Sequence, residues 1–280
     1  MSKHAPFAEV QASRPDYDAK DVFSMTKSPN PDWKPGQKQD AILENEGFTA
    51  DSPFREVEPG KDLDNAAMYK MMTWGITPRP VAFVSTMDKQ GRTNLAPISW
   101  FNHVAADPPS IMISIVKGNR PSGRKDTSDN ILELKEFCVS LISEPFVEAA
   151  NYAAIDAPEG QSEWPLTGLT QRESRHVKVP HVAESAFSME CQLMHHQPIQ
   201  NDAGDTTQSV FIARVRKFHI KEHVIDPDDT DIKIMPEKFK VVARLGGWTY
   251  GRVTSGYEVP RPVWAREKDD LERRGLVKEE

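Results

Sequence analysis

From Val81 onward the chain sets short apolar blocks between polar turns, an order the first sixty or so residues lack. Val81 to Met87 is a nearly continuous apolar run rich in β-formers. The Asp88-Lys89-Gln90-Gly91 segment after it is a compact turn in which glycine supplies the positive φ that closes a hairpin. Arg92 to Ser99 is then the returning strand. Ile111 to Val116 and Phe137 to Ile142 have the same buried-strand character. Between them Thr127 to Glu136 predicts a helix, with Ile131, Leu132 and Leu134 on or near one side and Ser128, Asp129, Glu133 and Lys135 keeping the rest wet. A second helix is predicted from Pro145 to Ala154, its proline placed in the first turn, where the missing N–H has no intrahelical acceptor anyway. Phe187 to Met194 and Gln208 to Val224 alternate as strands, and a slip in the second between Ile212 and Val215 predicts a bulge. Lys240 to Leu245 adds a short segment ending in Gly246-Gly247, and Asp64 to Met72 has a helical look. Several short strands with few helices predict a mainly β protein, a barrel with peripheral helices rather than a doubly wound sheet.

The flanks read differently, and they divide the chain into residues 1–62, 63–257 and 258–280. In the first, Pro15, Pro29, Pro31, Pro35, Pro53 and Pro59 break any periodicity, which predicts a largely irregular extension. Its apolar residues Phe23, Trp33, Ile42, Leu43, Phe48 and Phe54 are too sparse for a core and are suited to anchoring a wrapping arm. The last segment carries the charged run Arg266 to Arg274, predicted as an exposed tail or solvated helix.

A net charge of -7 lacks the excess of Lys and Arg that a nucleic-acid partner requires. No apolar stretch approaches the roughly 20 residues that span a bilayer, and Met1-Ser2-Lys3-His4-Ala5-Pro6 has no apolar leader core, so a cytoplasmic protein without a membrane partner is expected. Cys138 and Cys191 each sit inside an apolar run and are expected as buried reduced thiols. The adjacent His195 and His196 would face opposite sides of a strand and are not expected to share a metal. Neither a Gly-x-Gly-x-x-Gly fingerprint nor a P-loop is present.

The candidate chemistry lies between Ile76 and Thr127. Arg124-Lys125-Asp126-Thr127 stands directly before the predicted helix, so free backbone N–H groups, a hydroxyl and a positive charge converge in a way that suits a phosphate monoester. Taken locally, the same four residues also read as an ordinary N-cap with two solvated cations. Asn94-Leu95-Ala96-Pro97-Ile98-Ser99-Trp100-Phe101-Asn102 combines an apolar wall with polar contacts, or is simply a strand with a bend. Arg79 is held extended between Pro78 and Pro80. Gly160-Gln161-Ser162-Glu163-Trp164 and Arg244-Leu245-Gly246-Gly247 with Tyr250 follow further along.

Together these motifs resemble the flavin reductase-like family of the FMN-binding split barrel, over roughly residues 66 to 255. The resemblance implies a six- or seven-stranded antiparallel split barrel that pairs as a homodimer. It implies FMN as cofactor, with Lys125 and Thr127 on the phosphate, Asp126 capping the helix, and Asn94, Ala96, Pro97, Ser99, Phe101 and Asn102 bordering the ring. Arg79 is expected to reach the flavin phosphate or a nucleotide pyrophosphate, and Tyr250 to border the site. Trp164 stands near the flavin or in the core; both readings remain open here. The implied activity is transfer of hydride from NAD(P)H, a transient reductant, to flavin N5 and on to free flavin, a ferric chelate or another small acceptor, with no side chain required as acid or base. An FMN-binding electron carrier or sensor without its own NAD(P)H oxidation is the alternative, and an enzyme like pyridoxamine-phosphate oxidase a third.

Overall fold

A computed structural model of the chain describes residues 6–19, 23–37 and 46–278; Ile42 and Leu43 lie outside them. The hairpin expected after Val81 forms from β1 (Ala82–Met87) and β2 (Thr93–Ile98), paired antiparallel from Ala82 opposite Ile98 to Met87 opposite Thr93. Its turn is fixed by chemistry as expected, with Gly91 at φ 82°. Asp88 Oδ1 accepts the N–H groups of Gln90 and Arg92 at 2.9 and 2.8 Å, an Asx arrangement that Arg92 completes by an ion pair.

Five more strands extend this hairpin: β3 (Phe101–Ala106), β4 (Pro109–Val116), β5 (Glu136–Leu141), β6 (Phe187–Gln200) and β7 (Thr206–Ile220). The sheet order is β2-β1-β5-β6-β7-β4-β3, antiparallel throughout. The two edge strands, β2 and β3, are consecutive in sequence, with only Ser99 and Trp100 between them. Two residues cannot bridge the width of a flat seven-stranded sheet, whose neighbours lie about 4.8 Å apart. The sheet therefore curls until its edges meet, and the Ser114 N–H donates to Trp100 O at 2.8 Å, which carries the β3–β4 ladder up to the join.

Curling puts alternate residues inside. Ala82 and Val84, Ile111, Ile113 and Ile115, Phe137 and Val139, Met189 and Cys191, and Phe211, Ala213 and Val215 form one buried cluster. The helix α2 (Asp126–Leu134) contributes Ile131 to it. A second cluster forms on the outer face of the hairpin, where Val81, Phe83 and Leu95 pack with Ile142, Phe146, Ala150, Trp164 and Val182. Because β1 is buried on both faces, its sequence is an unbroken apolar run rather than an alternating one. Both cysteines are free and buried.

The two other predicted helical features and the slip in β7 appear with shifted boundaries. The helix near Asp64 is α1 (Asn65–Gly75), capped by the Asp64 carboxylate on the Ala67 N–H at 2.7 Å. The Pro145 helix begins as a 3₁₀ turn and continues as α3 (Val147–Tyr152). The slip near Ile212 appears as two irregularities between β6 and β7, with Met194 unpaired opposite Ile212 and Ala213, and Arg216 unpaired opposite Glu190 and Cys191.

The chain divides into two compact units, residues 37–253 with the barrel, and residues 1–36 together with 254–280. In the second unit Ser24–Thr26 pairs in parallel with Ser255–Tyr257, and Trp264–Arg273 is a helix. No helix among the described residues is long and apolar enough to cross a membrane.

Candidate functional site

The site begins where β4 runs out. Lys117 and Gly118 lead into a short loop in which Gly118 N–H donates to Gly123 O at 3.1 Å. Gly118 lies flat against the Arg124–Lys125 peptide: a Cβ there would stand 2.3 Å from Arg124 O and 2.7 Å from Lys125 N. Glycine is required at this position by the close approach of two backbones. That contact fixes the peptide from which α2 starts.

At the start of α2, the Ser128 and Asp129 N–H groups both turn back to Lys125 O, at 2.9 and 3.1 Å. The N–H groups of Asp126 and Thr127 have no acceptor among the described residues, and no side chain caps the helix. Asp126, expected as the cap, is instead the first helical residue. Its carboxylate faces Arg120, which donates from Nε and Nη2 at 2.9 and 2.8 Å and also from Nη2 to Ala157 O at 2.9 Å. The Asp126 carboxylate in turn raises the Arg120 pKa. Arg124 is paired with Asp129. Two open N–H groups and the Lys125 ammonium, which has no ion-pair partner among the described residues, thus point a positive helix end at one place.

Beneath this turn runs a buried polar chain. Thr127 Oγ1 donates to Asn94 Oδ1 at 2.8 Å, and Asn94 Nδ2 donates to Glu163 Oε2 at 2.7 Å. The same carboxylate oxygen accepts the Leu95 N–H at 2.9 Å. Thr127, Asn94 and Glu163 are all buried. What Thr127 offers a ligand is therefore its backbone N–H and an oxygen lone pair, its hydroxyl proton being committed to Asn94.

In front of α2 opens a cleft of about 720 Å³, lying wholly within the barrel unit. One wall is the strand end and join Ala96-Pro97-Ile98-Ser99-Trp100. The loops Lys117–Arg120 and Ala153–Pro158 form the opposite rim. Tyr69 of α1 stacks on Trp100 with ring centroids 6.4 Å apart and planes inclined by 27°, extending the aromatic surface at the mouth. Gln208 Nε2 donates to Ser114 Oγ at 2.9 Å on the cleft floor.

Six of the residues singled out in the sequence, Asn94, Ala96, Pro97, Ser99, Lys125 and Thr127, line this one cleft. The others do not. Arg79 is turned inward and buried, donating to the carbonyls of Thr73, Ile76 at 2.7 Å and Leu245 at 2.8 Å, and to Ser99 Oγ at 3.4 Å. Three backbone carbonyls satisfy its fork, so it braces the wall behind Ser99 and does not extend toward a phosphate; burial lowers its pKa. Phe101 packs against the barrel core, and Asn102 is exposed with its Oδ1 on the His103 N–H at 2.8 Å. Trp164 belongs to the second core cluster, 3% exposed. Tyr250 packs against that cluster, donates to Asn151 Oδ1 at 3.1 Å, and has the Arg244 guanidinium 4.6 Å from its ring centre. The glycines of the Arg-Leu-Gly-Gly segment serve a structural contact: a Cβ on Gly246 would stand 2.0 Å from the Trp74 indole.

Arg120, Tyr69 and Glu163 were not among the expected site residues. The glycine-flanked stretch Gly118 to Gly123 before Lys125 was the available signal for Arg120, whereas Tyr69 and Glu163 reach the cleft only through tertiary packing.

The sequence matches the profile of the flavin reductase like domain over residues 74–232, and the chain belongs to that family. It is 37% identical over 195 residues to the uncharacterized protein YwrF of Bacillus subtilis (strain 168), covering 69% of this chain and 93% of that one. Nitrilotriacetate monooxygenase component B from Bacillus cereus is 36% identical and superposes with a TM-score of 0.69, over 74% of this chain and 99% of that structure. The 2-nitrobenzoate 2-nitroreductase NbaA of Pseudomonas fluorescens is 25% identical with a TM-score of 0.64, over 75% and 98% respectively. The fold is the split barrel of the flavin reductase-like proteins.

Proposed function

We propose that the cleft binds FMN and that the protein is an oxidoreductase that draws hydride from NAD(P)H and passes electrons to free flavin, a ferric chelate or another small acceptor. The observation that carries this reading is the start of α2, where two N–H groups without an acceptor among the described residues and Lys125 open onto a cleft walled by Ala96–Trp100. This donor set fits a phosphate monoester, and the Ala96–Trp100 wall fits a planar ring.

A bound flavin supplies the two-electron chemistry; the chain's own residues bind, orient and shield it. Lys125 and the N–H groups of Asp126 and Thr127 would hold the phosphate. Ala96, Pro97 and Ile98 would exclude water from one side of the ring, and Ser99, braced by Arg79, offers a hydroxyl at its edge. Tyr69 and Trp100 stand at the open mouth, where a nicotinamide would arrive. Arg120, Asp126 and Glu163 at the cleft are engaged in fixed hydrogen bonds, which agrees with a reaction that needs positioning more than proton transfer.

The proposal extends to a cytoplasmic homodimer. Val104 on β3 and Met194 and Ile199 on β6 are about half exposed, apolar surface that a second copy of the chain would cover. Purified protein is expected to carry or bind FMN, and anaerobic mixing with NADH or NADPH is expected to bleach its visible flavin absorbance rapidly. Bound flavin that stays oxidised with both nucleotides would refute the reductase and leave the electron carrier. Protein that binds no flavin would refute both.

A further inference from the structure

Glu163 is 6% exposed, yet it lines the cleft and no step described above uses it. It is the terminus of the buried chain under α2, and its chemistry fixes the direction of that chain. A carboxylate only accepts, so the Asn94 amide must turn its NH₂ toward Glu163 and its Oδ1 toward the helix. There Oδ1 takes the hydroxyl proton of Thr127 at 2.8 Å and faces Thr86 Oγ1 at 3.3 Å, while Asn130 Nδ2 donates to Thr86 Oγ1 at 3.0 Å. Thr127 is thereby tied to β2 through the Asn94 amide, and Asn130 to β1 through its own amide on Thr86, which itself donates to Asn94. The Thr127 side chain is drawn down toward Asn94, which leaves its N–H and that of Asp126 facing the cleft.

We infer that Glu163 is a positioning residue for the phosphate end of the cleft: its carboxylate sets the orientation of the Asn94 amide and, through Thr127, holds the first turn of α2 with its open N–H groups toward the ligand. The inference rests on the reading of that turn as a phosphate cradle. It explains why a carboxylate is kept beside an anion site, where its charge alone opposes binding. Burial raises the Glu163 pKa and the charge of Asp126 adds to this, against the hydrogen bonds from Leu95 and Asn94, so the negative charge is a cost and the geometry is what is gained.

FMN and riboflavin differ by the phosphate alone, so the ratio of their dissociation constants reads the cradle and cancels effects on the ring wall. For the full chain, titrated by flavin fluorescence, FMN is expected to bind more tightly than riboflavin. In Glu163→Ala that ratio should fall by about tenfold, equivalent to about 1.4 kcal/mol, with riboflavin affinity unchanged. Glu163→Asp keeps the charge but falls short of Asn94 by one methylene, and it should show the same loss; it carries the comparison if the alanine variant does not fold. Glu163→Gln offers an amide oxygen to Asn94 and Leu95 and should keep the wild-type ratio. A wild-type ratio in the alanine or aspartate variant would overturn the role of Glu163, as would a glutamine variant that falls as far as alanine. Wild-type protein that does not distinguish FMN from riboflavin would overturn the cradle itself, a separate failure.

Discussion

Acidification should weaken this barrel through one buried imidazole. His181 is 3% exposed, its Nδ1 has no hydrogen-bond partner among the described residues, and its ring stacks on that of His219 with centroids 4.2 Å apart. His219 Nε2 faces Glu190 Oε1 at 2.6 Å, and the Glu190 carboxylate also accepts the N–H groups of Arg175, His176 and Val177. Burial, then the neighbouring charges of His219 and Arg172, lower the His181 pKa from 6.5 to about 4. The folded state therefore holds His181 neutral, while the unfolded chain takes up a proton near pH 6.5. The stabilisation is complete above that pH and is lost as pH falls from 6.5 toward 4, at about 1.4 kcal/mol per pH unit.

Between about pH 7.5 and pH 5 the expected loss is about 2 kcal/mol from this residue alone. Glu190 does not contribute in that window: burial raises its pKa, but its hydrogen bonds from Arg175, His219 and His176 more than offset this and hold it below the ordinary carboxylate range. Urea denaturation of wild type and His181→Phe at both pH values isolates the term. Phenylalanine keeps a ring against His219 and cannot take a proton. The stability difference between the two proteins should shift by about 2 kcal/mol in favour of the variant on acidification. Parallel stability curves, or a ring titration of His181 by NMR at or above its ordinary pKa, would refute the reasoning.

Three further outcomes follow from contacts described above. Gly118→Ala puts a methyl group 2.3 Å from Arg124 O, so the peptide before α2 must move; FMN affinity in a flavin titration should fall at least tenfold, and an unchanged dissociation constant would detach that contact from the site. Lys125→Ala removes one charge-assisted contact and should cost about 1.5–3 kcal/mol of FMN binding, with the melting temperature of the flavin-free protein unchanged; loss of stability without loss of affinity would make Lys125 a structural residue. Gly246→Ala drives a methyl group to 2.0 Å from the Trp74 indole and should lower the melting temperature by several degrees while leaving the FMN-to-riboflavin ratio intact, which separates the Arg-Leu-Gly-Gly segment from the cradle.

The barrel was legible where burial is continuous. β1, β4 and β5 are apolar on the inside face and covered on much of the outer one, so their runs stand out against polar turns. β3 was missed because most of Phe101–Ala106 is exposed and carries no alternation, and β6 was cut short at Met194 because its second half is solvent-facing. The place of Lys125 and Thr127 at the start of α2 was readable because helix starts are local. The inward turn of Arg79 was not legible because the prolines beside it fix its backbone but not its partners, and one of those, Leu245 O, is 166 residues away. Glu163 meets Asn94 across 69 residues, and no local pattern announces such a pairing.

The join at Ser99–Trp100 ties the architecture of the molecule to the shape of its ligand. A residue inserted there would lengthen the ring wall and loosen barrel closure in the same stroke, so this side of the cleft has almost no freedom to diversify. On the opposite rim Gly118 is held against the Arg124–Lys125 peptide, whereas Asn119–Arg120 and Ala153–Pro158 lie outside the strand ladder and do not set barrel closure. Variation in the shape of the cleft is thereby channelled into two loops, while the seam stays as the fixed jaw of the vice.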